Sequence, residues 1–242
     1  MTDAAGPAPD PTPDLIARLI VQADQAFVRT VDGLPDDAYP AGSLLPGWTR
    51  AHVVAHVTLN AEALAGVLHG AHLGRPQPMY ASQEARNADI EDLTATSPAD
   101  LRERFLASTG RFAEALGAMH EDDWTGSFER TPGAAPIRLV NVPLMRLREV
   151  EIHHADLDAG YTPADWSPDF CVVLLDSLRK FDVAAPFEVR PTDVPGAWRY
   201  GSGDGGPVVT GTAGALGWWL TGRGSGEGLT SDSRELPAMA PW

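Results

Sequence analysis

The sequence predicts a mainly α protein, a helical bundle followed by a small α+β domain. Three observations carry this. Apolar residues recur at helical spacing through the first two-thirds of the chain. Strand-like pieces come only after about residue 187. Between the two regimes, residues 160–168 (GYTPADWSP) have the composition of a linker.

Taken in order, the Pro- and Ala-rich residues 1–12 are expected as a disordered lead-in. The bundle is expected over residues 13–161 and the α+β domain over 162–242. A first helix runs from about Pro13 to Val31, carrying Leu15, Ile16, Leu19, Ile20 and Phe27. A loop rich in Gly and Pro follows. Thr49 is the expected N-cap of a helix reaching Gly74. Further helical pieces fall near Gln83–Glu91 and Ala99–Met119. The stretch GSFERTPGAAPIRL leads to a helix from about Pro143 that ends before Gly160. Past the linker come a helix near Asp169–Phe181 and strand-like pieces at Phe187–Arg190, Ala197–Tyr200 and Pro207–Gly211. A small-residue helix, TAGALGWWL, then stops at Gly222, a natural C-terminal cap.

Composition narrows the partners. A formal net charge of −15, from 33 acidic against 18 basic residues, repels phosphate backbones and anionic lipids, so neither nucleic acid nor membrane is an expected partner. No signal peptide is recognisable, and a cytoplasmic monomer is expected. Cys171 is the single cysteine, which excludes internal disulfides and Cys-based zinc sites. It lies in the apolar run CVVLL and reads as a small buried hydrophobe, so thiol chemistry needs a thiol from outside.

Two helices carry ionisable pairs at four-residue spacing, His52 with His56 and Glu149 with His153. On a helical wheel Glu149 and His153 share a face flanked by Met145, Ile152, Val150 and Leu157, where an unpaired ionisable group is costly. Glu151 and His154 fit exposed positions. One histidine of the earlier helix with Glu149 and His153 gives two nitrogens and an oxygen, a known zinc set that leaves a fourth position open. The competing reading is a buried His–Glu hydrogen bond on each helix without metal. His56 reads as a core histidine or a partner behind the ligands, with a fourth-ligand role as the alternative. Asp156 could orient a ligand or simply end its helix. Trp48, Trp218 and Trp219 read as core or pocket wall. Arg223, just past the Gly222 stop, could clamp a carboxylate from a fixed point; the plain alternative is a solvated arginine.

Four segments, GWTRAHVVAHVTLNAEAL, PMYASQEARNADIE, MRLREVEIHHADLDAG and GTAGALGWWLTGRGS, resemble the mycothiol-dependent maleylpyruvate isomerases, in the same order and over nearly the whole chain. The first and third are shared with the wider DinB-like metal-binding bundle superfamily. The resemblance implies a four-helix-type bundle holding one zinc through His52, Glu149 and His153, with Arg223 as the essential C-terminal arginine. It further implies mycothiol as cofactor and maleylpyruvate, or a similar unsaturated oxo-acid, as substrate in aromatic catabolism of the gentisate type. Mycothiol, held as a thiolate by zinc, would add to the cis double bond, the carbon–carbon bond would rotate, and elimination would give fumarylpyruvate. Two other outcomes fit the same residues: a mycothiol S-transferase that keeps the thioether, and a metal-dependent binding module without catalysis.

Overall fold

The computed structural model describes residues 11–233 and 235–239, so the expected lead-in at 1–12 lies, up to residue 10, outside the described residues. The chain divides into two compact units, one of Asp14–Tyr161 and one containing Thr162–Trp242. Seven α-helices and a small strand-containing C-terminal part make up the described residues, in keeping with a mainly α fold.

The first unit is built from α1 (Pro13–Gly33), α2 (Arg50–His72), α3 (Gln83–Thr94), α4 (Pro98–Gly117) and α5 (Val142–Asp156). Local chemistry sets the starts of the middle three. Thr49, Ser82 and Ser97 are extended N-caps whose hydroxyls accept from the amides of His52, Ala85 and Asp100. Pro98 opens α4, where its missing N–H costs nothing. Burial then sorts the helices. On α4, Leu101, Phe105, Ser108 and Phe112 form one inward stripe. α2 is apolar on most sides and packs against α3, α4 and α5. By length and composition α2 could cross a membrane, but 67% of its apolar window is buried in the bundle, as expected of a core helix.

α5 is also enclosed. Its Arg146 is fully buried and donates to Asp24 on α1 at 2.9 Å and to the Val57 carbonyl on α2 at 3.1 Å. One guanidinium thus ties three helices, and removing it would strand a buried carboxylate. The end of α5 is held by residues from the loop before α2 and from its first turn. Arg50 donates to the carbonyls of Leu157 and Asp158, and the Leu44 amide donates to that of Asp156. These bonds satisfy carbonyls that a helix terminus leaves open, and they fix the start of α2 against the end of α5. A hairpin of β1 (Ser127–Glu129) and β2 (Pro136–Arg138) precedes α5, inside the stretch read only as a Gly- and Pro-bearing connection. Met79 and Tyr80 donate backbone bonds to Glu129 and Arg130 at 2.9 Å, which sets Tyr80 beside α3.

In the second unit, α6 (Pro168–Ser177) and α7 (Ala213–Leu220) accompany β3 (Phe187–Pro191), β4 (Trp198–Tyr200), β5 (Val208–Gly211) and β6 (Thr230–Ser231). The sheet order is β4-β3-β5-β6; β3 and β5 are parallel and the other pairs antiparallel. Alternate residues of the strands turn inward, Phe187, Val189, Trp198, Tyr200 and Val209 among them. β6 falls in the Gly- and Ser-rich tail, where two residues carry no readable period. α7 ends as its sequence predicts. Gly222, at φ 74°, donates to Trp219 O at 2.9 Å and Arg223 N donates to Trp218 O at 3.3 Å, the two bonds of a Schellman motif. Gly214 is required for a different reason: a Cβ there would lie 2.1 Å from the Pro163 carbonyl oxygen.

Candidate metal centre

Two helices of the first unit supply the centre. Glu149 and His153, one turn apart on α5, face His56 on α2. Glu149 Oε2 lies 2.9 Å from His56 Nε2 and 3.3 Å from His153 Nε2. The His56 and His153 rings meet edge to face with centroids 4.7 Å apart. Among the described residues this is the group of His, Cys, Asp or Glu side chains whose ligand atoms converge, all within 4.8 Å of one another.

His52, expected as the third member, is not in that group; His56 stands in its place. The reason lies at the start of α2. His52 is the third helical residue after the Thr49 cap, and its ring folds back to close a capping box, Nδ1 lying 2.7 Å from Thr49 Oγ1 and 3.2 Å from Thr49 N. Its Nε2 points instead toward Glu91, at 3.4 Å. One turn further on, His56 is 4% exposed and reaches α5.

The charges of this cluster are mutually set. Burial pushes the His56 imidazole down to about 4, with the Glu149 carboxylate opposing. Burial alone would raise Glu149, but the bonds from His153 and His56 outweigh it and hold the carboxyl well below its ordinary range. For His153, burial is overcome by Asp156 and Glu149, which hold the ring above its ordinary value. Asp156 Oδ2 sits 2.8 Å from His153 Nδ1, so that nitrogen is the donor and Nε2 is turned toward the centre.

The arrangement suits a small divalent cation. Bonds of about 2.05 Å at tetrahedral angles put ligand atoms roughly 3.3 Å apart, close to the 2.9 and 3.3 Å from Glu149 Oε2 to the two ring nitrogens. His153 with Asp156 behind it is the usual support of a metal-bound histidine. Trp48 closes one side, its ring 5.6 Å from His56.

Two neighbours on α5 depart from expectation. Glu151 and His154 are buried, at 5% and 1% exposure, because α5 is enclosed beyond its ligand face. His154 stacks between Phe27 and Tyr161, at 4.7 and 3.7 Å, and bonds Thr30 at 2.7 Å. Glu151 accepts from the Tyr161 hydroxyl at 2.6 Å, and burial raises its carboxyl to about 7. At low pH the carboxyl is neutral folded and unfolded, with no penalty. Above pH 7 it is ionised in both states, and the folded protein then bears the cost of a buried charge. Each tenfold gain in proton affinity on folding corresponds to about 1.4 kcal/mol of that cost. Glu151→Gln should therefore stabilise the protein by roughly 3 kcal/mol at pH 8 and by almost nothing at pH 4, checked by urea unfolding at both values.

Arg223 belongs to the second unit. The Schellman motif fixes its backbone, its guanidinium lies 5.6 Å from the centre of the Trp218 ring, and Nη1 donates to Thr221 O at 3.3 Å. Cys171 is buried on α6. A residue that the sequence reading passed over is Arg86, in the PMYASQEARN segment, whose Nη2 lies 3.0 Å from His56 Nδ1.

Comparison with known proteins places the chain in a family. The model of the mycothiol maleylpyruvate isomerase N-terminal domain matches residues 20–158, more than half of the 242 residues. Two solved structures of a mycothiol-dependent maleylpyruvate isomerase, one of them a histidine-to-alanine variant, superimpose with a TM-score of 0.83. They are 28% and 27% identical to this chain, and the alignments cover 95% of it and 96% of theirs. No curated protein sequence matches the chain. With the family model matching residues 20–158 and the solved structures aligned over 95% of the chain, the chain belongs to the mycothiol maleylpyruvate isomerase family.

Proposed function

We propose that the protein is a mycothiol-dependent isomerase that converts maleylpyruvate to fumarylpyruvate, with one zinc held by His56, Glu149 and His153. The observation that carries this is the convergence of two histidine nitrogens and one carboxylate from α2 and α5 in a chain of this family. Three protein ligands leave a coordination position for a small molecule, the pattern of a catalytic rather than a structural zinc. Bound zinc would supply the charge that keeps an incoming thiol deprotonated at neutral pH.

The chain's own residues do the rest. Asp156 holds His153 in the tautomer that presents Nε2, and Trp48 covers the flank of His56. Arg223 is the proposed partner of a substrate carboxylate, its planar fork stabilising the negative charge that develops as the thiol adds. Addition places the thiol sulfur on one alkene carbon and electrons on the conjugated carbonyl. The former double bond rotates. Elimination then restores the alkene in the trans form and returns the thiol unchanged.

No protein thiol takes part. Cys171→Ser should keep wild-type turnover of maleylpyruvate, and no protein should turn over without mycothiol, followed by the double-bond absorbance with a count of free thiol. Full activity in a thiol-free preparation would refute the reading. Stoichiometric loss of thiol would instead make the protein an S-transferase.

A further inference from the structure

His153 and His56 face the centre with opposite preparation. His153 Nδ1 donates its proton in a hydrogen bond to Asp156, which leaves Nε2 as the nitrogen turned to the centre. His56 has a donor behind it instead. Arg86 Nη2 is 3.0 Å from His56 Nδ1, and a guanidinium can only donate, so Nδ1 is the acceptor. The remaining proton of the neutral ring then sits on Nε2 and is donated to Glu149 at 2.9 Å. That tautomer cannot offer Nε2 to a cation. Once Nε2 is a ligand, the proton belongs on Nδ1, and two donors face each other where one bond stood.

Arg86 has somewhere to go. Among the described residues it forms no ion pair; it bonds His56 and its neighbour Asn87, lies over the Tyr80 ring at 5.7 Å, and its buried Nε has no hydrogen-bond partner. It also lines a cavity of about 570 Å³ whose wall combines Leu59, Met79, Tyr80 and Leu93 with Arg104 and the carboxylates Glu62, Asp89 and Asp92. Glu62, on the same wall, is already neutralised by Arg104 and Arg111. Its unpartnered Nε and the Nη2 donor that His56 then refuses form a fork suited to a carboxylate, which can accept from both.

We infer that Arg86 is a positioning residue that lets go of His56 when the metal is bound and takes up a carboxylate of the incoming substrate, so that metal and anion bind cooperatively. The inference rests on the metal reading above, and it deepens that reading by naming a second cation, in addition to Arg223, for an acidic substrate. Cooperativity is reciprocal: an anion that occupies Arg86 must tighten the metal by the factor with which the metal tightens the anion.

The test is a zinc titration against a chromophoric chelator, with and without succinate as an unreactive dicarboxylate, on wild type, Arg86→Leu and Arg86→Lys. Arg86→Leu should bind zinc on the order of tenfold more tightly than wild type, since the competing charged donor is gone. Succinate should tighten zinc on the order of tenfold in wild type, partly in Arg86→Lys and hardly at all in Arg86→Leu. Nitrogen NMR of the imidazoles reads the same event directly: His56 should carry its proton on Nε2 without zinc and on Nδ1 with it. Equal zinc affinity in wild type and Arg86→Leu, an equal succinate effect in both, or a His56 tautomer that does not change would overturn the hand-off while leaving the metal site standing. Absence of zinc binding in every variant would overturn the metal reading and this inference together.

Discussion

His56→Ala should lose zinc affinity by more than about a hundredfold, while His52→Ala keeps its metal. Loss of a residue behind a ligand already costs roughly 10- to 100-fold in affinity, so loss of a ligand must exceed that. Glu149→Ala and His153→Ala should behave like His56→Ala, because the three converge on one point. His52 caps its own helix, so His52→Ala should cost no more than about 1 kcal/mol of stability, the usual size of a capping interaction. Metal content after dialysis, read beside the unfolding midpoint, separates the two effects. Retention of stoichiometric zinc by His56→Ala, or its loss in a folded His52→Ala, would restore the assignment expected from the sequence.

Arg223→Ala should keep zinc and still bind mycothiol, yet isomerise maleylpyruvate at least about a hundredfold more slowly. That is the scale on which losing one preorganised donor to a developing negative charge is felt. Its local frame is well defined: the Schellman bonds fix its backbone and Trp218 lies under the guanidinium. Arg223→Lys should recover only part of the rate, since an ammonium has no planar fork. Steady-state rates with zinc content measured on the same samples decide the matter. A wild-type rate for Arg223→Ala would move the charge-stabilising role elsewhere, with Arg86 the next cation to test.

Much of the architecture was legible because it rests on strong local signals. Thr49 capped α2 where expected, and the Gly222 stop after α7 followed from the left-handed backbone that glycine tolerates. The β1–β2 hairpin and β6 were missed, since strands of two or three residues have no period to detect and exist only through their partners. On α5 the four-residue spacing of Glu149 and His153 was readable, but the burial of Glu151 and His154 was not. A wheel places residues on faces and cannot say how many faces a core helix buries, and Phe27 and Tyr161 come from elsewhere in the chain. The convergence of His56, rather than His52, with Glu149 and His153 could have been foreseen. With Thr49 as N-cap, His52 occupies the position whose side chain returns to the cap, which leaves His56 as the histidine free to face another helix. Arg86 gave no local sign, because its meaning depends on α3 lying against α2.

The central claim, that zinc is held by His56, Glu149 and His153, is tested most directly by a crystal structure of the zinc-loaded protein with diffraction recorded at the zinc absorption edge. One anomalous peak is expected, about 2.0–2.2 Å from His56 Nε2, a Glu149 carboxylate oxygen and His153 Nε2. A peak on the His52 ring, or none between α2 and α5 at full zinc loading, would contradict it.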